Sequence, residues 1–405
     1  MYRELPRSIH VLFFARMVNS MGAFVFPFLT LYLTQKLHLS AATSGSFMLL
    51  IAAAHVPGTI LGGKLADSIG RKKILLIGQT AAGLFLLPGV FLGNSMLVPW
   101  SILVAQFFAA LGQPSNQAMA MDLTTKANRQ AAFSLLFLGY NLGFAVGPML
   151  AGFMFAHLTW MLFLGDAVTT IVSVALVAAL VPDTTPSKEH ISESVAVNSG
   201  ERAEEGHTVR ALLARPLLLA FAAIVAILTF VYAQNGFALP LQLNKLFGTQ
   251  GPVFYGSMMT LNAIIVIVLT APAVALTRGN RPVTNIMIAA LCYAIGFGMI
   301  FFIRTYAIFF ISVAIWTLGE ILISTNSNVY ISNHTPISHR GRFNSIFPLI
   351  TGGGRALSPA VVGWYIRFVG VQLVWPLMAA LAALAGLALV VLRTRESERN
   401  LSHRS

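Results

Sequence analysis

Residues 61–76 read Leu-Gly-Gly-Lys-Leu-Ala-Asp-Ser-Ile-Gly-Arg-Lys-Lys-Ile-Leu-Leu. An apolar run lies on either side, at 44–63 and 74–94, each about the 20 residues that a helix needs to cross hydrocarbon. Between the runs stand four bases (Lys64, Arg71, Lys72, Lys73), the single acid Asp67 and a glycine at 70. A chain that crosses an apolar layer, reverses within ten residues and crosses back is built for a bilayer, where every backbone group must be paired inside its own helix.

The rest of the sequence agrees. Of 405 residues, 57% are apolar and 10% are charged, where about 25% charged is usual in soluble proteins. No water-soluble domain hides that much apolar surface, so a soluble enzyme and a disordered chain are both excluded. Twelve runs satisfy the span rule: 9–33, 44–63, 74–94, 97–121, 131–155, 159–181, 216–241, 253–277, 283–303, 306–330, 343–367 and 371–392. The first is too long for a signal peptide and is expected to be retained. Cys292, the one cysteine, lies within an apolar run and reads as an inert thiol. Residues 183–209 are polar, without an apolar stripe, and are expected to form a linker. The chain then divides into residues 1–182, the linker, and 210–405, with six spans on each side.

The net charge of +13 is explained by topology. With the N-terminus in the cytoplasm, 20 of the 26 Lys and Arg fall on the inner side and four on the outer side, leaving Arg16 and Arg355 inside spans. This positive-inside bias predicts both termini cytoplasmic and leaves no basic patch for nucleic acid.

The two halves repeat. Arg129–Gly152 and Arg340–Gly363 superpose at a constant offset, matching Arg129 with Arg340, Gly143 with Gly354, Pro148 with Pro359 and Gly152 with Gly363. A Gly-to-Pro pattern also recurs in the first and seventh spans, Gly22 to Pro27 and Gly236 to Pro240. Six spans occurring twice in one orientation predict two similar bundles and a carrier that opens to one side at a time. A channel would need rings of equivalent groups around one pore.

The 61–76 stretch resembles the loop signature of the major facilitator superfamily, Gly-x-Leu-Ala-Asp-Arg-x-Gly-Arg-Lys. Gly63, Leu65, Ala66, Asp67, Gly70, Arg71 and Lys72 match, while Ser68 replaces the Arg that follows the acid. The resemblance implies a latch that controls switching, with Gly63 and Gly70 allowing close helix contact and a tight turn. The corresponding second-half loop at 276–282 keeps two Arg and no acid. The fifth span, with Gly143, Gly147, Pro148 and Gly152, is similar to the signature of the drug:proton antiporters, and the whole chain looks most like their twelve-span branch. It departs from them in the fourth span, where Gln106 stands at the position of an Arg and Ala110 at that of a Gly.

Charges at membrane depth cost about 2.5–3.5 kcal/mol on the insertion scale, so each is a functional candidate. Glu320, near the middle of the tenth span, is expected to carry protons or to pair with Arg355. His55 and Asp166 are further proton-coupling candidates, each with a structural alternative: for His55 a bond to a neighbouring helix. Residues expected to line a substrate cavity are Arg16, Asn19, Gln106, Gln113, Asn116, Tyr232, Gln234, Asn235, Asn326 and Arg355, with Asn328 beside them. There is no HExxH, GxSxG or GxxxxGK[ST] pattern, and no catalytic residue, metal or cofactor is expected.

The resulting expectation is an all-α integral membrane protein of twelve transmembrane helices in two pseudo-symmetric bundles. It would be a monomer in the bacterial inner membrane, exporting amphipathic small molecules in exchange for protons. A proton-coupled sugar, metabolite or lipid-linked carrier of the same fold is the alternative, and a transport-dead sensor or scaffold the remote one.

Overall fold

The computed structural model describes residues 4–125, 128–183, 216–334 and 340–402. Apart from Asp183, the expected linker lies outside the described residues. Every regular element among them is helical. The first half holds α1 (Arg7–Met21), α2 (Val25–Leu31), α3 (Ala41–Ile69), α4 (Arg71–Leu86), α5 (Pro88–Phe91), α6 (Leu97–Asp122), α7 (Arg129–His157) and α8 (Thr159–Leu180). The second holds α9 (Pro216–Tyr232), α10 (Ala238–Phe247), α11 (Gly251–Thr277), α12 (Pro282–Gly298), α13 (Tyr306–His334), α14 (Arg340–Val369) and α15 (Val374–Ser402).

Ten helical segments among the described residues are long and apolar enough to span a membrane. One of them, Pro216–Thr277, runs for 62 residues and contains α9, α10 and α11, where two spans are expected. The expected eleventh span falls in α14, which is not among the ten because its arginines, glycines and serines dilute its apolar content.

Two expected spans are broken rather than continuous. The first is interrupted at residues 22–24 between α1 and α2, and the seventh passes through a 3-10 turn at Ala233–Asn235 before α10. The breaks fall at Gly22 and next to Gly236, the glycines of the repeated pattern. Interrupted helices at matching positions of two repeats mark binding sites in transporters, because unpaired backbone groups are tolerated only where protein or a cavity receives them.

The repeat also holds in packing. A methyl on Gly143 would run into the backbone carbonyl of Met17 in α1, and one on Gly354 into that of Ala226 in α9. Lipid tails are as apolar as leucine, so these helices are held by close backbone approach rather than by hydrophobic burial. Gly58 and Gly62 of α3 do the same against the carbonyls of Phe107 and Leu111 in α6. Large apolar side chains such as Phe91 and Leu276, more than 80% exposed, suit a hydrocarbon solvent.

By contact the described residues form two compact units, one falling within 1–186 and 239–267, the other within 187–238 and 268–405. Leu239–Ile267, covering α10 and the first part of α11, thus packs with the first six spans.

Candidate functional site

In the second unit, α9, α12, α13 and α14 bring a carboxylate, two phenols and a guanidinium together. Tyr232, the last residue of α9 before the helix break, hydrogen-bonds Glu320 of α13 through its hydroxyl. The guanidinium of Arg355 in α14 lies over the same ring, 5.8 Å from its centroid. Tyr293 of α12 stacks on Tyr232 at 5.8 Å, within electrostatic reach of Glu320 and Arg355. Trp316, one helical turn before Glu320, meets Tyr232 edge-on at 5.8 Å and stacks on Phe297 at 5.6 Å. Its indole N–H is buried without a hydrogen-bond partner among the described residues.

One aromatic ring therefore serves an anion at its hydroxyl and a cation on its face. A proton arriving on the carboxylate removes the negative end of this arrangement and leaves the cation to be balanced otherwise. The break after Tyr232 is fixed by Gln234, fully buried, whose amide donates to Ser358 Oγ, while Ser358 donates to the Phe230 carbonyl at 2.7 Å. Asn235 sits half-buried in the same turn.

In the first unit the break between α1 and α2 is seated on α8. Asp166 accepts a hydrogen bond from the Val25 N–H at 3.1 Å and a second from that of Phe24. The carboxylate thus caps the N-terminus of α2, whose own preceding residue, Phe24, has no side chain able to do so. Asn19 donates to Thr170 Oγ1 at 3.2 Å, and Gly22 lies so close to Thr169 that a methyl there would collide with it. Arg16, Asn19 and Asn116 line a cavity of about 200 Å³ within this unit.

The turn that decided the fold is tighter than its sequence suggests. α3 continues to Ile69 and α4 starts at Arg71, so Gly70 alone reverses the chain, at a φ of 114°. Arg71 forms an ion pair with Asp122 at the end of α6. The ammonium of Lys72 donates to the carbonyls of Ala178 (2.8 Å) and Val181 (2.6 Å), covering the C-terminal end of α8 where the helix dipole favours a cation. Two neighbouring bases thereby fasten the start of α4 to the ends of two other helices. Asp67 is exposed. Close contact expected at Gly63 is made one residue earlier. A methyl on Gly63 meets nothing within 4 Å among the described residues, because the helical turn of about 100° per residue aims Gly62 at α6 and Gly63 away from it.

Glycines of the fifth-span signature serve two faces of α7. Gly143 and Gly147 lie on the Met17–Met21 backbone of α1, and Gly152 approaches the Pro252 carbonyl at the start of α11. Gly256 of α11 in turn lies against the Pro148 carbonyl.

Other expected residues stand apart from these groups. Thr59, one turn along α3, lies 3.4 Å from His55 Nδ1 and donates to the His55 carbonyl at 3.0 Å, so the bond expected to a neighbouring helix is made within its own. Gln106 is half-buried and Gln113 exposed. Asn326 accepts from Asn285 at 2.8 Å, and Asn285 accepts from Asn280 at 2.9 Å, an amide chain that ties the α11–α12 turn to α13. The side chain of Asn328 lies outside the described residues. Asp122, Tyr293, Tyr140 and Gln79 are functional candidates that sequence reasoning missed. Among the described residues no three His, Cys, Asp or Glu are placed to hold a metal.

Comparison with known proteins places these features in a family. The sequence model of the Major Facilitator Superfamily matches residues 12–347. The chain belongs to the major facilitator superfamily. It is therefore a transporter of that superfamily, not an enzyme. A Na(+), Li(+), K(+)/H(+) antiporter of Planococcus maritimus is 24% identical, over 84% of this chain and 85% of that protein. The enterobactin exporter EntS of Citrobacter koseri is 25% identical, over 82% of this chain and 76% of that protein. In fold, a peptide-transporter-family (POT) structure in complex with a thioalcohol-conjugated peptide superposes with a TM-score of 0.79 at 15% identity, covering 96% of both chains. The superfamily member described here shares the fold of that last structure.

Proposed function

We propose that the protein is a proton-coupled secondary transporter that exports amphipathic small molecules, with Glu320 as the proton carrier. The observation that carries this reading is the cluster at the second helix break, where Tyr232 links Glu320 to Arg355. A carboxylate held in the middle of an apolar helix by a phenol donor, with a cation on the same ring, can change protonation without being exposed to bulk water. Proton transfer at Glu320 then alters the field at Arg355 and the fit of α9 against α13 and α14, the step that alternating access requires.

Both the family signature in the fifth span and the similarity to an exporter favour outward transport. In this reading both termini are cytoplasmic, twelve helices cross the bacterial inner membrane, the monomer is the working unit, and the proton gradient replaces any cofactor. Cation/proton exchange is the second reading, favoured by the similarity to the Planococcus antiporter.

Proteoliposomes containing the purified protein test both. An inward-directed pH gradient should drive ethidium out of the compartment corresponding to the cytoplasm, and Glu320→Gln should lose that dependence while keeping gradient-independent exchange. Equal gradient-driven transport by both proteins would sink the role of Glu320. Sodium movement in place of ethidium would select the second reading.

A further inference from the structure

The cavity in the first unit has a composition that the Glu320 cluster does not explain. It is enclosed by α1, α4, α6, α7 and α8 and has a volume of about 200 Å³. Its lining includes one cation, Arg16, and no acid. Among the described residues Arg16 makes no ion pair, and its guanidinium lies 5.9 Å from the Tyr140 ring centroid. Asn19 spends one amide hydrogen on Thr170. The side chains of Gln79, Asn116 and Ser173 make no hydrogen bond to protein among the described residues and line the same space. A guanidinium held at membrane depth without a counter-charge is costly, and a cavity walled by amide and hydroxyl groups around it is set to receive an anion. A cavity of on the order of 150 Å³ holds benzene, so this one has room for a single ring with one charged substituent.

We propose that this cavity binds the carboxylate of a small organic anion, with Arg16 as its charge partner and Gln79, Asn116 and Ser173 completing the hydrogen bonds. Tyr140 both faces the guanidinium and offers a ring edge to the body of the ligand. The site lies inside one unit and binds without a proton gradient. It extends the transport reading above, on which it rests only for the statement that the bound anion is cargo.

The test uses the full chain in phosphatidylcholine nanodiscs and three single-ring probes of nearly equal shape: benzoate, benzamide and benzylammonium. Benzoate should raise the thermal midpoint saturably, and the neutral and cationic probes should not. Arg16→Gln should weaken benzoate binding at least about tenfold, with Arg16→Lys in between and Asn116→Leu weakened less than Arg16→Gln. Equal binding of the three probes, or no binding of benzoate to the unmodified protein, overturns the proposal without relying on any variant. Stabilisation by phosphatidylglycerol nanodiscs that depends on Arg16, with none by benzoate, would assign the cavity to a lipid headgroup and likewise overturn it. Glu320→Gln should bind benzoate as the unmodified protein does. Proton coupling that fails while benzoate binds rejects the functional reading alone, and the reverse outcome rejects this site alone.

Discussion

Removing the Asp166 carboxylate should loosen one end of one short helix. α2 is seven residues long and begins after a break, so its first N–H groups have no partners within the helix. Asp166, on α8, accepts from the first of them, Val25, at 3.1 Å, and also from the N–H of Phe24, which donates to the Gly22 carbonyl as well. Losing a helix cap costs about 0.5–2 kcal/mol. At 1.4 kcal/mol per tenfold, that is about a 2- to 30-fold loss of protection against local opening. Hydrogen–deuterium exchange of a peptide covering residues 22–31 should therefore quicken by this factor in Asp166→Ala. A peptide within 7–21 serves as the internal control and should change little. Asp166→Asn keeps an acceptor oxygen and should fall between. Unchanged exchange over 22–31 in Asp166→Ala would refute the capping argument, since Phe24, the residue before α2, supplies no side-chain cap of its own.

Three more outcomes follow from the packing. Arg71→Ala and Asp122→Ala should each cost little and the double variant no more than the larger, with a coupling of about 1 kcal/mol or less in a thermal-stability cycle, because both side chains are partly exposed. Gly143→Ala and Gly354→Ala should each destabilise by about 1–3 kcal/mol through overpacking, whereas Gly63→Ala should leave stability level or raise it, as read by thermal unfolding in detergent. Gly70→Ala should cost about 1–3 kcal/mol in the same assay, since a φ of 114° is strained for any residue with a Cβ.

Much of the architecture is legible in the sequence, for reasons that are local. Hydropathy marks the spans because the bilayer demands apolar length, and the Gly-to-Pro pattern locates both helix breaks because backbone distortion needs those residue types. What hydropathy does not encode is rotation about a helix axis and partnership across the bundle. Asp122 lies 51 residues from Arg71, at the end of a different helix. Gly62 and Gly63 look alike on paper, and only the direction of α6 separates them. Asn326 reads as a cavity residue by its type but spends its amide on α12 and its own helix. Glu320 and Arg355 stand out because charge is scarce in spans. Tyr232 joins them only through the geometry of the break after α9.

The glycine socket between α1 and α7 has a consequence for how the chain is made. Met17 and Gly143 are 126 residues apart, and ribosomes add on the order of 5–20 residues per second. Once α1 has emerged, about 6–25 s pass before its packing surface exists. During that interval α1, carrying Arg16, sits against lipid or the insertion machinery with its receiving face empty. Mutations that leave the finished fold intact but make α1 less tolerable to lipid should therefore appear as lost yield during synthesis, with normal stability in the molecules that survive.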